Sequence, residues 1–237
     1  MADFFEISSM TETFRSLNNP IWQALHSGDR HLAIGNDFFI MYPEDIGLFV
    51  GVDESRSSVP EQLFKALPAK SVKVLIIKKK LTFSPEWQIL HAGPLWQMVA
   101  ENPAEIAGNE EIIPLGLEHI PEMLALTKLT QPGPFFERTI ELGNYQGIFQ
   151  GGKLVAMGGE RFHPDHFAEI SAICTHPDFR GRGFGSRLMS FLAHDIRQKG
   201  KIPFLHVRPE NISAIDLYLK LGFVTRTEMN LTVIQKP

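Results

Sequence analysis

The fold is decided by the stretch Glu169-Ile-Ser-Ala-Ile-Cys-Thr-His-Pro-Asp-Phe-Arg-Gly-Arg-Gly-Phe-Gly-Ser-Arg-Leu-Met189, in which a strand, a glycine-rich turn and a helix follow one another. The β-branched residues before Thr175 suit a half-buried strand, and Pro177 ends it because proline cannot donate to a sheet. After the glycines, apolar residues recur at helical spacing, namely Phe184, Leu188, Phe191, Leu192 and Ile196. The stretch therefore predicts a strand–turn–helix unit that ends at Gly200.

The turn Arg180-Gly-Arg-Gly-Phe-Gly185 has the composition of an anion site. The first turn of a helix has main-chain N–H groups without partners, and the helix dipole favours negative charge there. Glycines let a phosphate approach the main chain, and the two arginines add fixed positive charge. We therefore predict that a phosphate or pyrophosphate is held by Arg180, Gly181, Arg182, Gly183, Phe184, Gly185 and Ser186.

Two common phosphate-binding motifs do not match this turn. Its glycines fall at alternate positions, unlike the dinucleotide fingerprint G-x-G-x-x-G, and no G-K-[ST] follows as it does in a P-loop. A glycine-rich turn with a purely structural role is the alternative. The choice between them depends on the rest of the C-terminal half.

Two motifs of this half resemble the GNAT superfamily of N-acetyltransferases. Arg-x-x-Gly-x-Gly at Arg180–Gly185, after a strand that ends Thr-His-Pro, resembles the acyl-CoA signature of that superfamily. Leu-Tyr-x-x-x-Gly-Phe at Leu217–Phe223 looks like the end of its last helix. The resemblance covers residues 107–237, and Glu-Arg-Phe at residues 160–162 looks closest to the glycine-N-acyltransferase-like branch.

The resemblance implies an α+β fold, with a mixed, centrally splayed β-sheet flanked by helices, in a catalytic domain at residues 107–237. Residues 1–106 are predicted to form a smaller α+β domain that shapes the acceptor pocket. This domain is either a degenerate GNAT-like half or a different module. The stretch Glu101–Glu110 is polar and rich in helix and strand breakers, which predicts a linker between the two domains.

Hydrophobic periodicity and turn residues predict the elements along the chain. Further helices are expected at Thr11–His26, Pro60–Leu67, Glu118–Leu129, Phe135–Leu142 and Ser213–Leu221. Strands are expected at His31–Ile34, Phe38–Tyr42, Leu48–Val52, Val72–Ile77, Leu95–Ala100, Ile112–Leu115, Tyr145–Phe149, Lys153–Glu160, Phe167–Thr175, Pro203–Val207 and Phe223–Ile234. The strands on either side of the central helix should form a parallel pair, because they belong to one βαβ unit.

The composition excludes several classes of protein. A hydrophobic content of 43% and a charged content of 21% are ordinary for a globular domain. The net charge of -4 does not indicate nucleic-acid binding, and no apolar run is long enough for a bilayer. The single cysteine excludes an intrachain disulfide, and Met1–Ile7 lacks the features of a signal peptide, so we expect a cytoplasmic protein. No metal site is predicted, and the oligomeric state is open.

Acyl transfer from a thioester to an amine needs a proton acceptor for the amine, donors for the oxyanion and a proton for the leaving thiolate. By resemblance, Glu169 matches a carboxylate that serves as the base in some members of the superfamily. The alternative is a structural carboxylate paired with Arg161. Glu160 and His176 are weaker candidate bases. Glu160 lies on the neighbouring strand, and two close carboxylates could raise the pKa of one of them.

The resemblance also implies which residues meet the acyl-CoA. Main-chain groups of Ile173, Cys174 and Thr175 would face the gap between the splayed strands and bind the oxyanion and the pantetheine amides. Cys174 is interpreted as a small buried residue and not as a nucleophile. Tyr218 is the candidate general acid, with a core tyrosine as the alternative, and Asn211 caps the last helix, contacts CoA, or does both.

The predicted activity is therefore transfer of an acetyl group from acetyl-CoA, as co-substrate, to a primary amine by direct reaction in a ternary complex. The acceptor is a small molecule or a peptide, and no nucleic acid or membrane partner is expected. One alternative is transfer of a longer acyl group, or transfer to an oxygen acceptor. The other is a catalytically silent CoA-binding or regulatory module, which would not need Glu169 or Tyr218.

Overall fold

The computed structural model describes residues 12–106, 108 and 111–237. Three of the sequence predictions fall partly or wholly outside this range. They are the absence of a signal peptide at Met1–Ile7, the start of the first helix at Thr11, and the part of the predicted linker at residues 107, 109 and 110.

The α-helices separate short runs of strands, and single strands and helices alternate only from β9 to β11. The helices are α1 Pro20–His26, α2 Val59–Ala66, α3 Ile120–Thr130, α4 Phe184–Gln198 and α5 Ile212–Lys220. The strands are β1 Ile34–Gly35, β2 Phe39–Met41, β3 Val50–Val52, β4 Val72–Ile77, β5 Gln88–Val99, β6 Ile113–Pro114, β7 Gln146–Gln150, β8 Lys153–Glu160, β9 Phe167–Thr175, β10 Ile202–Val207 and β11 Val224–Gln235.

One eight-stranded sheet, in the order β4-β11-β5-β10-β9-β8-β7-β6, organises the molecule. Its neighbouring strands are antiparallel except for β9 and β10, which form the parallel pair expected for the βαβ unit. A small antiparallel sheet, β1-β2-β3, lies beside β4, where the Val74 N–H donates to Leu48 O at 2.8 Å. The predicted α+β class with a mixed sheet is confirmed.

The N-terminal segment is built into the main sheet. Strand β5 lies between β10 and β11 and pairs with both of them, although it comes before the predicted domain boundary at residue 106. The sequence predicted only its last part, Leu95–Ala100, as a strand. The division into domains at residues 1–106 and 107–237 stays a prediction, but the two segments share one sheet.

The predicted helix Thr11–His26 is divided before Pro20, into a 3-10 helix at Glu12–Asn18 and α1. Two further short elements differ from prediction. The expected strand His31–Ile34 is instead a 3-10 turn at Arg30–Leu32, where successive N–H groups bond back to Asp29 and Arg30. The expected helix Phe135–Leu142 is helical only at Thr139–Leu142, because the Thr139 hydroxyl accepts from the Phe136 N–H and fixes the chain before the turn. In both places a local hydrogen bond overrides the apolar pattern.

Helices cover both faces of the sheet. Residues Ile170 and Leu205 point to the face that packs against α4 and α5, in a cluster with Ile196 and Ile215. Phe167 and Phe204 point to the other face, where α1 packs. Successive residues along each strand point to opposite faces, so the sheet separates two apolar layers.

Strands β9 and β10 separate after a short parallel ladder. Their pairing comprises Ile202 with Phe167, Pro203 with Ala168 and Phe204 with Glu169, and beyond these residues β10 pairs with β5 alone. On the other side of β9, the register with β8 shifts between Gly159 and Met157, and Ala172 has φ +55°. Such a bulge bends its strand, which directs β9 away from β10.

Gly158, on the neighbouring strand, leaves room for the side chain of Ile173. A Cβ on Gly158 would lie 2.2 Å from the Cδ1 atom of Ile173, too close for a side chain to fit without movement. The gap between β9 and β10 beyond their paired residues is called the fork below.

We predict that Phe204→Ala lowers the free energy of unfolding by about 3–5 kcal/mol, because it leaves a cavity in the core. Phe204 is fully buried and its ring packs edge-on against Phe167. Urea denaturation measures the change. Phe191→Ala is the matched control on α4, where the side chain is 40% exposed, and should change stability by no more than about 0.5 kcal/mol. Equal losses in the two variants would contradict this account of the core.

Candidate functional site

A cavity of about 1100 Å³ passes through the sheet at the fork. Its lining includes Leu205 and Val207, which belong to the face of α4 and α5, and also His206, whose side chain points to the opposite face. Tyr218 of α5 lies at one end, and Phe49 of the N-terminal segment lies at the other. We call the end beside α5 the donor arm and the end beside the N-terminal segment the acceptor arm.

The donor arm reaches the glycine-rich turn. Arg180 and Gly181 line the cavity there, just before the start of α4. Gly181 and Gly183 have φ +77° and +81°, and a Cβ on either would meet no atom within 4 Å. The turn is therefore open at its two left-handed glycines and lies at the N-terminus of a helix, where the sequence predicted a glycine turn. Arg182 is held over the Phe179 ring at 4.8 Å.

The remaining residues of the turn differ in the groups that a ligand could reach. Phe184 is buried in a core cluster with Leu188, so it has only its main-chain N–H to present. Gly185 and Ser186 are half-buried in the first turn of α4. Ligand binding by these residues stays a prediction.

Strand β9 supplies one wall of the fork. Ile173, Cys174 and Thr175 all line the cavity, on the edge of β9 that has left β10. Burial raises the pKa of the Cys174 thiol to about 11, so the thiol is protonated at neutral pH. This agrees with a small buried residue and not with a nucleophile.

Helix α5 supplies the other wall of the donor arm. Asn211 caps it, accepting a hydrogen bond from the Ala214 N–H at 3.3 Å, and also lines the cavity. Tyr218 faces the cavity seven residues further along the chain, and burial raises the pKa of its hydroxyl. The Tyr218 hydroxyl is thus protonated at neutral pH and can donate a proton.

Glu169 lies behind the cavity wall. Its carboxylate is fully buried and accepts from Arg161 Nε at 2.8 Å, from Arg161 Nη2 at 2.6 Å and from His206 Nδ1 at 2.6 Å. Burial alone would raise the pKa of Glu169, but the charge of Arg161 and the bonds from both partners outweigh it and lower the pKa to about 2. The structure thus shows the ion pair with Arg161 that was the alternative interpretation, and the role of Glu169 as base stays a prediction.

The hydrogen bonds around His206 fix its tautomer. The Gln97 Oε1 atom accepts from Arg226, which leaves Gln97 Nε2 as the donor to Leu17 O at 2.9 Å and to His206 Nε2 at 3.1 Å. His206 Nε2 is therefore the acceptor nitrogen, and Nδ1 carries the proton that it donates to Glu169. The imidazole lines the cavity between Glu169 and the acceptor arm.

The expectation that closeness of Glu160 and Glu169 would raise the pKa of one of them is wrong, because the pKa of both is lowered. Glu160 bonds to Asn144 at 2.7 Å, to His163 at 3.0 Å and to Lys199 at 3.2 Å. These partners outweigh its burial and lower the pKa of Glu160 to about 2. Both carboxylates therefore stay ionised, each in its own set of donors.

Sequence reasoning missed His206 as a site residue and treated Arg161 only as a partner of Glu169. A weak signal was present, since His206 is the one polar residue in Pro-Phe-Leu-His-Val at 203–207. The apolar wall of the acceptor arm, from β4, β5 and β11, was not predicted because strand order cannot be read from the sequence.

Within residues 12–106, 108 and 111–237, no group of three or more His, Cys, Asp or Glu side chains could hold a metal ion. No helix in the same part of the chain is long and apolar enough to cross a membrane.

Comparisons with known proteins agree with this geometry. The family model described as FR47-like protein matches residues 145–231. A crystal structure described as a GNAT-family acetyltransferase from Novosphingobium aromaticivorans superposes with a TM-score of 0.86 at 30% identity, covering 93% of this chain and 98% of that chain. N-alpha-acetyltransferase RimI of Mycobacterium tuberculosis is 36% identical over 84 residues, which is 34% of this chain and 51% of RimI. An uncharacterised N-acetyltransferase of Methanocaldococcus jannaschii is 44% identical over 57 residues, 24% of this chain and 25% of that relative.

The chain belongs to the GNAT family of acetyltransferases, because the Novosphingobium relative matches it over nearly its whole length. The two curated relatives are matched over only 25% and 51% of their own length. The assignment to the glycine-N-acyltransferase-like branch stays a prediction.

We predict that Glu169→Gln destabilises the protein by about 3–5 kcal/mol at pH 7, since it leaves the Arg161 charge buried without a partner. The pKa of Glu169 falls from its ordinary 4.5 to about 2 on folding. The ionised group therefore stabilises the fold above the unfolded pKa, and this stabilisation is lost as the pH falls through the folded pKa. The difference between wild type and variant should thus shrink from about pH 5 towards pH 2, as measured by urea denaturation.

Glu228→Gln, an exposed change on β11, is the control and should show a small difference at every pH. A loss in Glu169→Gln that grows towards acid pH would show that this carboxyl group is not held ionised in the fold.

Proposed function

We propose that the protein transfers an acetyl group from acetyl-CoA to a primary amine by direct attack in a ternary complex. The single observation that carries the proposal is the cavity through the fork, with the glycine-rich turn at its donor arm and a separate acceptor arm on the opposite face of the sheet. Two substrates could enter from opposite sides and meet between the strands.

The donor arm fits the chemistry of CoA. Open glycines at a helix N-terminus, together with Arg180, suit a pyrophosphate. The unpaired edge of β9 at Ile173–Thr175 can bond the pantetheine amides as an added strand would. Asn211 and Tyr218 close this arm from the side of α5.

The reaction forms a bond between the amine nitrogen and the acetyl carbon and breaks the carbon–sulfur bond, with a net transfer of one proton from nitrogen to sulfur. Main-chain N–H groups of the β9 bulge, near Ala172 and Ile173, would stabilise the oxyanion. Tyr218, protonated at neutral pH because it is buried, would donate to the leaving thiolate.

The proton acceptor must reach the amine from the acceptor arm. Glu169 is shielded by Arg161 and His206, so we propose that it acts through His206. In this arrangement His206 Nε2 takes the proton once the amine displaces Gln97, and Glu169 holds Nδ1–H and stabilises the imidazolium. Glu160 bonds to a different set of partners, which argues against it as the base.

Acetyl-CoA-dependent thiol release with a panel of amines tests the proposal. Release that requires both acetyl-CoA and an amine supports it. Calorimetric binding of acetyl-CoA without release under any acceptor would favour the silent CoA-binding module. Faster release from longer acyl-CoA donors would favour the longer-chain alternative. The expected cytoplasmic location stays a prediction.

We predict that Gly183→Val weakens acetyl-CoA binding at least tenfold, or about 1.4 kcal/mol. A side chain at this open position would stand where a phosphate must approach the main chain. Isothermal titration calorimetry measures the affinity.

Gly200→Val is the matched control, because Gly200 has φ +73° with open space around it and lies just after the C-terminal end of the same helix. It introduces the same kind of backbone strain away from the donor arm. If both folded variants bind acetyl-CoA with the same affinity, the pyrophosphate does not bind at the glycine-rich turn.

We predict that Tyr218→Phe lowers turnover by about 10²-fold with little change in acetyl-CoA affinity, since only the proton donor is lost. The deficit should be smaller for a thioester whose thiol is more acidic, because that leaving group needs less protonation. Steady-state thiol release with both donors measures this. A deficit of equal size for the two donors would assign Tyr218 a role in positioning, and no deficit would make it a core tyrosine.

A further inference from the structure

The walls of the acceptor arm are almost entirely apolar. The residues concerned come from β4, β5, β11 and the segment before β3, and they are Leu48, Phe49, Val74, Leu95, Leu231 and Val233. Strand pairing places Val74 opposite Val233 and Leu95 opposite Met229, so these side chains share one face of the sheet. This arm can therefore remove a large apolar group from water.

No Asp or Glu is found among the described residues that line the cavity. Polyamines and other multiply charged amines need carboxylates for the charges that do not react. Such acceptors would lose hydration here without gaining a counter-ion. The arm therefore favours an acceptor with one amine and an apolar body.

Among the residues that the structure describes, Arg161 is the one cationic hydrogen-bond donor that the acceptor arm presents. It bonds Glu169 through Nε and Nη2, which leaves Nη1 without a hydrogen bond to any residue that the structure describes. The guanidinium carbon lies over the rings of Phe49 and Phe162, 4.9 and 4.6 Å from their centres. The guanidinium is therefore a fixed donor beside the apolar wall.

We propose that the acceptor is an apolar amino acid, as the free acid or its amide, whose side chain packs on this wall and whose carbonyl oxygen accepts from Arg161 Nη1. Its α-amine nitrogen bonds to the acetyl carbon as the carbon–sulfur bond breaks. The nitrogen loses one proton to the base of the site, and the leaving thiolate gains one proton from the acid, so CoA leaves as the thiol. The product is an N-acetyl amino acid. This inference rests on the proposed acetyl transfer and adds the class of acceptor.

Thiol release from acetyl-CoA, measured on the full chain with leucine, leucinamide, glycine and spermidine as acceptors, tests the class. We expect kcat/KM for leucine and leucinamide to exceed that for glycine and spermidine at least tenfold. A preference for spermidine would overturn the proposal and leave acetyl transfer intact. No release with any acceptor would instead refute the proposed function itself.

Substitution of Val233 tests whether the wall sets this preference. Val233 is half-buried on β11, and β5 separates it from the fork strand β10. Val233→Asp should lower kcat/KM for leucine at least tenfold and raise that for spermidine. Thr232→Asp is the matched control, because the neighbouring side chain on the strand points to the opposite face, and it should leave the preference unchanged.

An unchanged calorimetric affinity for acetyl-CoA shows that each variant is folded. If Val233→Asp fails to fold, Val233→Phe replaces it. This variant should have a lower kcat/KM for leucine and an unchanged kcat/KM for glycine. A preference for leucine that survives both changes at Val233 would overturn the proposal. One further result would overturn the proposal. If wild type releases thiol faster from octanoyl-CoA than from acetyl-CoA with glycine as acceptor, and Val233→Phe does not, then the arm holds the acyl chain and not the acceptor.

Discussion

The buried carboxylate of Glu169 is the interaction on which the site depends. A buried charge is tolerated only when it is paired and bonded, and Glu169 meets this condition through Arg161 and His206. Its main chain is tied as well, since Glu169 N donates to Phe162 O and Arg161 N donates to Glu169 O, and Glu169 is the last residue of β9 opposite β10. Three segments are thus fixed together at the point where the fork opens.

The fork converts this local arrangement into a passage through the sheet. Beyond Glu169 the bulge at Ala172 turns β9 aside, while β10 continues beside β5. The two ends of the resulting cavity differ in character, with Arg180 and Gly181 at the donor arm and mostly apolar side chains beside Arg161 and His206 at the acceptor arm. This asymmetry suits a charged, phosphate-bearing donor and an apolar acceptor.

A second buried network holds the N-terminal segment over the acceptor arm. His163 bonds Asp29 at 2.7 Å and Glu160 at 3.0 Å, and Tyr42 donates to Asp29 at 2.5 Å. Burial would lower the pKa of His163, but the two carboxylates outweigh it and raise the pKa to about 9. His163 is therefore a cation at neutral pH. Its charge-assisted bonds to Asp29 and Glu160 join the N-terminal segment to the end of β8.

The sequence by itself determined the local units. Strand β9 was predicted with its observed limits, and the glycine turn, α4 and the cap of α5 were predicted to within a few residues, because each depends on neighbouring residues and their periodicity. Only the tertiary structure decided that β5 enters the sheet between β10 and β11, since the chain can pair a strand with partners more than a hundred residues away. The same holds for Glu169, whose pKa of about 2 is set by the bonds that Arg161 and His206 make after folding. A sequence shows which groups can ionise, but their surroundings in the folded protein determine the pKa that each one has.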